Sequence, residues 1–408
     1  MLATNDSHNN FTTILFMMVN VAVAFISLLL VKRVCCLWLS KETAKWAIDD
    51  FRAQEKNRST ISFKGTDRRP STPFVSGDGF RSFCNHICED ANRCRMDPLL
   101  VKDGECVFVK TDFFEFFVKE VANRIPGRYI IVSHNGDLSA PDGQDDAPRI
   151  GMPKYVVSDI LENEYKKGRL IAHHGQNLWW KNNTERQRPE FSHCLPIGFE
   201  NRQYPTGKNV HLYAEALQSL VVDQPTLTIA QQAKKPLLLV AFYPKSRVPD
   251  RHKVLSILGV FPPKGVPKVV NPFFNYTDLS HFEWLEGVVS HRFVLAPFGH
   301  GLDTHRISEI LLMGGIPVTR RSTISSCFDD SDSVTYGRDG VAKRRGSLPV
   351  VILDKWEHLT QERLELEWAR ISAVPADSWD WSRLFLPHWV DRIFAHSFKP
   401  LNKPVAIR

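Results

Sequence analysis

Residues 290–320, SHRFVLAPFGHGLDTHRISEILLMGGIPVTR, constrain the fold of this chain more than any other stretch. Positions 292–296 are a short apolar run with β-formers and read as a buried strand. The PFGHG segment at 297–301 breaks that run with two glycines, Gly299 and Gly301. Asp303 stands where a cap belongs for a helix running through Leu312. Gly314 and Gly315 end that helix, and Ile316, Pro317 and Val318 open another strand. Strand, glycine loop, helix, strand is one βαβ unit, with a ligand-sized gap above its first strand.

That geometry carries chemistry. The two glycines let backbone approach a ligand, and free N–H groups at a helix N-terminus favour anions. Arg306, in the first turn, can pair with a phosphate. Glu309, one turn on, can accept hydrogen bonds from vicinal hydroxyls. Phosphate beside a sugar diol points to a nucleotide. The plainer alternative is a loop glycine pair with a surface Arg306–Glu309 i,i+3 salt bridge.

The spacing P-x-G-x-G-x-D-x-x-R-x-x-E-x-L-x-x-G-x-x-P-V is met by Pro297, Gly299, Gly301, Asp303, Arg306, Glu309, Leu311, Gly314, Pro317 and Val318. It resembles the donor-binding segment of exostosin-like glycosyltransferases. Thr304 breaks the dinucleotide G-x-G-x-x-G pattern, and no Gly-Lys-Ser/Thr follows to make a P-loop. The resemblance covers roughly residues 105–369 and implies an α/β chain of two Rossmann-like domains facing across a cleft, the GT-B fold. It implies donor contacts from Gly299, His300, Gly301, Asp303, Arg306 and Glu309. In GT-B enzymes, basic groups after the first strand of the second domain face the donor pyrophosphate. Lys245, Arg247 and Arg251 stand there; as single residues they also read as a solvated basic turn.

The 408 residues, 43% hydrophobic, suffice for two domains of ordinary size. The net charge of +7 suits phosphorylated donors or anionic glycans. No basic stripe with interleaved aromatics points to nucleic acid. Residues 11–31 form an uncharged apolar run long enough to span a bilayer. No small-residue cleavage pattern precedes Lys32 and Arg33, so the run reads as an anchor. The tail before it lacks Lys and Arg, which by the positive-inside rule directs the bulk of the chain to the cytosol. Cys35 and Cys36, palmitoylation candidates, agree with that orientation. Cys84, Cys88, Cys94 and Cys106 point the other way. They read as two disulfides in an oxidising lumen, with reduced thiols or an unusual zinc site as alternatives. Asn57, Asn182 and Asn275 open N-x-S/T triplets, as do Asn5 and Asn10. The resemblance implies a single-pass Golgi protein with a luminal catalytic part.

The expected organisation is a tail (1–10), an anchor (11–31), a polar stem (32–73), an acceptor-side Rossmann-like domain (74–230), a nucleotide-sugar-binding Rossmann-like domain (231–376) and a helical tail (377–408) that packs back across both. In the first domain, a strand over 129–133 ends in His134, Asn135, Gly136 and Asp137, where open α/β sheets bind ligands. The family pattern continues with Gln176, Asn177 and the LPIG turn at 195–198; it assigns nothing to His173 and His174.

Glycosyl transfer needs a neutralised leaving group, a base and an aligned sugar. Asp137 is the leading base candidate by position, and His134 is its rival by ordinary pKa. Asp330-Ser331-Asp332 matches a metal-binding Asp-x-Asp string but sits in a polar loop, and reads as a chance match. The expected reaction is sugar transfer from a nucleotide sugar to a glycan or glycoprotein, inverting, with no metal and no cofactor beyond the donor. The rival reading is an inactive relative that binds glycans or nucleotides, or partners another transferase. A homo- or hetero-oligomer is compatible with either.

Overall fold

The computed structural model describes residues 39–56, 62–63, 66–89, 94, 96–143, 155–180, 189–223, 237–242, 248–260, 274–276, 279–329, 334–336, 342–344 and 347–395. The apolar run at 11–31, Lys245 and the Asp330–Asp332 string lie outside them. Among the described residues no helix is long and apolar enough to cross a membrane.

Two parallel sheets organise the chain. The first takes β1 (His86–Cys88), β2 (Glu105–Lys110), β3 (Tyr129–His134), β4 (Leu170–Gly175) and β5 (Ser192–Cys194) in sequential order. The second takes β6 (Leu238–Val240), β7 (Phe274–Tyr276), β8 (Phe293–Leu295), β9 (Ile316–Arg320) and β10 (Val351–Leu353) in the order β7-β6-β8-β9-β10. Every pairing within both is parallel. Parallel sheets are covered on both faces, so their strands read as continuous apolar runs.

Strand β3 shows how one run serves two cores. Tyr129 and Ile131 face residues 114–121, through Phe114, Phe117 and Val118, and α3 (Ser158–Lys166), through Leu161. Ile130 and Val132 face the opposite layer, built from Phe80 of α2 (Gly77–Phe83) and Leu386, Trp389 and Ile393 of α9 (Leu386–Phe394). The C-terminal helix thus closes the far face of the first sheet. Trp389 is fully buried there, its indole N–H donating to the Arg383 carbonyl at 2.7 Å. The second sheet is covered by α5 (Pro249–Ile257), α6 (His281–Ser290), α7 (His305–Leu312) and α8 (Gln361–Ser372). Ser280 and Glu283 form a reciprocal capping box at the start of α6, and the Thr360 hydroxyl caps α8 at the Arg363 N–H.

The sequence reads 32–73 as a stem, and the structure corrects this. Residues 41–56 form a helix, α1 (Lys41–Lys56), whose Ala44, Ala47, Ile48 and Phe51 are buried at i, i+3, i+4 and i+7 spacing. The charges around these four buried residues leave a low mean hydropathy, which hides a narrow but complete stripe. Phe51 packs on Phe74, Phe74 on Phe199 and Tyr213, and this chain joins the core of the second sheet. Tyr213 lies on α4 (His211–Ala216), which leads from the first sheet toward the second.

Cys84 pairs with Cys106 and Cys88 with Cys94, in place of a zinc site or reduced thiols. A third disulfide, Cys194–Cys327, joins β5 of the first sheet to a turn after β9 of the second. At 133 residues of separation its pairing has no local sequence signal. Phe51→Ala is expected to destabilise the protein by about 3–5 kcal/mol in denaturant unfolding; an unchanged midpoint would place α1 outside the cooperative core.

Candidate active site

The C-terminal ends of β2, β3, β4, β5 and β8 converge on one cavity of about 450 Å³. Open parallel sheets bind ligands at those ends. Lys110 and Asp112 follow β2, and Asn135, Gly136 and Asp137 follow β3. Gln176 follows β4, while Ile197, Glu200, Asn201 and Tyr204 follow β5. His300 and His305 reach in from the second sheet.

The turn after β3 is held rigidly. Asn135 has φ 64°, a left-handed conformation that asparagine tolerates. Its N–H donates to His134 Nδ1 at 2.8 Å, and its side-chain oxygen accepts from Asn201 Nδ2 at 2.8 Å. Its amide donates to Asp78 Oδ1 at 3.2 Å. Asp78 is itself held by the Arg68 guanidinium, with Nη2 at 2.6 Å from Oδ1. A Cβ on Gly77 would sit 1.6 Å from Asn135 Oδ1, so helix α2 must begin with glycine there. Gln176 completes the frame by accepting the Asn135 N–H and donating to the Gly136 carbonyl, both at 3.1 Å.

The outcome for the two base candidates differs. His134 is buried, and its two ring nitrogens are both used. Nδ1 accepts from Asn135, while Nε2 donates to the Pro196 carbonyl at 3.1 Å. Burial pushes its pKa down to about 4 against hydrogen bonds that favour the cation. Its neutral ring lines the cavity, but with both nitrogens engaged it has no free lone pair to take a proton, and the expectation of His134 as a base is corrected. Asp137 is half exposed in the cavity, with Oδ2 3.7 Å from His300 Nδ1 of the opposite lobe.

The glycine loop of the second lobe is packed where the sequence suggests a gap. A Cβ on Gly301 would come within 2.3 Å of the Asn177 amide, which belongs to the first lobe. Asn177 Oδ1 accepts the Asp303 N–H at 3.0 Å, and Asp303 Oδ2 accepts the Ile197 N–H at 2.7 Å. Asp303 Oδ1 takes the Thr304 N–H at 2.7 Å. Asp303 therefore ties the lobes together rather than holding a donor, and Thr304 is the N-cap residue of α7. Burial pushes the Asp303 carboxyl up to about 6, against the two backbone hydrogen bonds.

Glu309 is corrected too. Only 5% exposed, it accepts from the Tyr213 hydroxyl at 2.8 Å and the Trp284 indole at 2.9 Å. Both carboxylate oxygens thus serve the core, and the residue does not line the cavity. Arg306 lies with its guanidinium 4.5 Å over the Trp284 ring and donates Nη1 to the Ala241 carbonyl just past β6. Burial lowers its pKa to about 10, partly restored by Glu309, and it remains cationic. Arg251, in the first turn of α5, donates Nε to the Phe298 carbonyl at 3.2 Å, beside the end of β8. Each repels the other's charge enough for Arg251 to depress Arg306 further. Neither guanidinium hydrogen-bonds a carboxylate among the described residues, and, like Glu309, neither residue lines the cavity. The Gly299 loop is fixed from below by Asp250, which accepts the Phe298 N–H at 3.1 Å and the Trp356 indole at 2.9 Å.

His305 and Glu200 were not singled out by sequence, though their places after Asp303 and at the end of the LPIG turn offered a signal. His305 Nδ1 donates to the Gly198 carbonyl at 2.8 Å, and Nε2 lies 3.3 Å from Glu200 Oε2. Burial opposes the cation, yet the Glu200 hydrogen bond and charge outweigh it and raise His305 from 6.5 to about 9. Glu200 is lowered by the same contact despite its own burial. His173, by contrast, is a core residue that shares a hydrogen bond with Ser133 and stacks on Phe114.

No protein-family model matches this chain, and no curated protein matches it. Among solved structures, the alpha,alpha-trehalose-phosphate synthase (UDP-forming) from Burkholderia vietnamiensis overlaps at a TM-score of 0.29 and 9% identity, over 73% of this chain and 72% of that one. A likeness that loose identifies neither fold nor activity. What this chain does is therefore argued from its own site.

His305 has a folded pKa above its unfolded one, so its stabilisation is complete below about pH 6.5 and lost as pH rises through about 9. The amount is at most about 3 kcal/mol. Asp303, raised from 3.8 to about 6, acts in a separate and lower window. Stability measured by denaturant from pH 6 to 10 is expected to fall across about 6.5–9 in the native protein, and His305→Gln is expected to flatten that fall.

Proposed function

We propose that this chain is an exostosin-like, membrane-anchored glycosyltransferase that moves a sugar from a nucleotide-sugar donor to a glycan or glycoprotein acceptor. The observation that carries this reading is the meeting of strand ends from two parallel sheets on one polar cavity, with Asp137 and His300 facing across it. A displacement between two substrates needs such a cleft, with one substrate held by each lobe.

The donor diphosphate is assigned to Arg251 and Arg306. Both are desolvated cations held by backbone carbonyls at the C-terminal ends of β8 and β6. Two like charges brought close at low dielectric are relieved by a bridging anion. On this reading the diphosphate lies beside the Gly299 loop, outside the residues that line the cavity, and not in the Gly301 turn that Asn177 fills. Neutralisation by guanidinium groups needs no metal, so activity in EDTA is part of the proposal.

Asp137 is the base. Its carboxylate reaches the cavity from the first lobe, and His300 stands 3.7 Å from it on the second. With one carboxylate taking the acceptor proton, the acceptor oxygen attacks the anomeric carbon, and the nucleotide diphosphate leaves toward Arg251 and Arg306. No covalent intermediate is needed, and the anomeric configuration inverts. The three disulfides support an oxidising compartment, hence a luminal orientation in the Golgi, against the charge bias around residues 11–31.

The test is nucleotide release from a panel of UDP- and GDP-sugars in the presence of EDTA. Asp137→Asn is expected to lower kcat by about 10²–10⁴ with little change in donor KM. Arg306→Ala is expected to weaken donor binding instead. Tight donor binding by the native protein without any turnover, across the panel and a broad acceptor set, would favour the inactive partner reading.

A further inference from the structure

The described residues lining the cavity bear on which acceptors it takes; this step rests on the glycosyltransferase reading above. Lys110 and His305 are positive, and Asp112, Asp137 and Glu200 are negative, two charges against three. Both cations are engaged. Lys110 Nζ is paired with Asp112, while His305 donates to Gly198 and faces Glu200. Those same pairs engage Asp112 and Glu200, so the excess charge is the Asp137 carboxylate, and a carboxylate or sulfate entering here would meet it with no unengaged cation among the described lining residues.

Among the other polar lining side chains, the amides of Asn135, Gln176 and Asn201 are taken up by the frame of the turn after β3, which leaves His300, its imidazole 51% exposed, as the open hydrogen-bonding group. Tyr204, 47% exposed, offers a flat ring at the rim. A flat ring beside an open hydrogen-bonding group is what a pyranose with its hydroxyls packs against.

We propose that this cavity holds an uncharged saccharide acceptor and rejects saccharides carrying carboxylate or sulfate groups. The charge of the whole chain, +7, points to anionic glycans, but the balance at the cavity has the opposite sign. Like-charge juxtaposition acts at the site itself, whereas net charge acts only at long range.

The test uses the full chain and matched trisaccharide pairs, each neutral member set against the same sugar oxidised to a carboxylate at C6. Equilibrium binding is followed by saturation-transfer NMR without nucleotide. Neutral members are expected to bind at least about tenfold more tightly, with the gap narrowing from about 20 mM to about 500 mM salt. Asp112→Asn, which removes one carboxylate and releases Lys110, is expected to improve binding of the oxidised members selectively. Equal or tighter binding of the oxidised members, or no saturable binding of any neutral member, overturns the proposal. Donor turnover is measured separately. Saccharide binding with no turnover would overturn the reaction and leave this subsite, and turnover with oxidised acceptors preferred would do the reverse.

Discussion

One carboxylate sits at the centre of the seam that fixes the two halves of this protein to each other. Asp303 sits at the start of α7, almost fully buried, and spends one oxygen on Thr304 of its own lobe and the other on Ile197 of the opposite lobe. Its own N–H goes to Asn177. A buried carboxylate accepting two backbone N–H groups is satisfied only while both lobes stay in place. Gly301 makes the contact feasible, because any side chain there would collide with Asn177. The glycines that look like a phosphate cradle in the sequence serve in part as a joint.

The rest of the seam reinforces that joint. His305 bonds to Gly198 and Glu200, and Tyr213 bonds to Glu309. The Thr323 hydroxyl bonds to the Leu178 carbonyl, and Cys194 is covalently joined to Cys327. These contacts flank the cavity rather than fill it, so the strand ends are held apart at a fixed spacing. Asp137 and His300 face each other because the joint beside them is closed. The polar inventory of the cavity follows from the same arrangement, since each lobe brings its own strand ends.

Much of the fold was legible because it depends on local pattern. Continuous apolar runs at 129–133 and 292–296 gave buried strands, and Gly314 and Gly315 gave the end of α7. The helix α1 was not legible as packed structure, because a few apolar positions in a charged segment look the same whether they meet a core or water. Within the site, the position of Asp137 was readable from its place after a strand. The parts of His134, Asp303 and Glu309 were not. Residue type offers a base, a cap and a diol acceptor; only their partners Pro196, Ile197, Tyr213 and Trp284 show those capacities already in use.

The sequence by itself determined two runs of alternating strand and helix and the residues that end each strand, because periodicity and backbone preference act over a few neighbours. Tertiary structure alone decided which of those ends face one another, which charges are satisfied within the seam, and that Cys194 meets Cys327. Those outcomes depend on contacts between residues more than a hundred positions apart. Burial and hydrogen-bond satisfaction are properties of the assembled lobes, so a side chain's chemical role is set only once its partners have been brought to it.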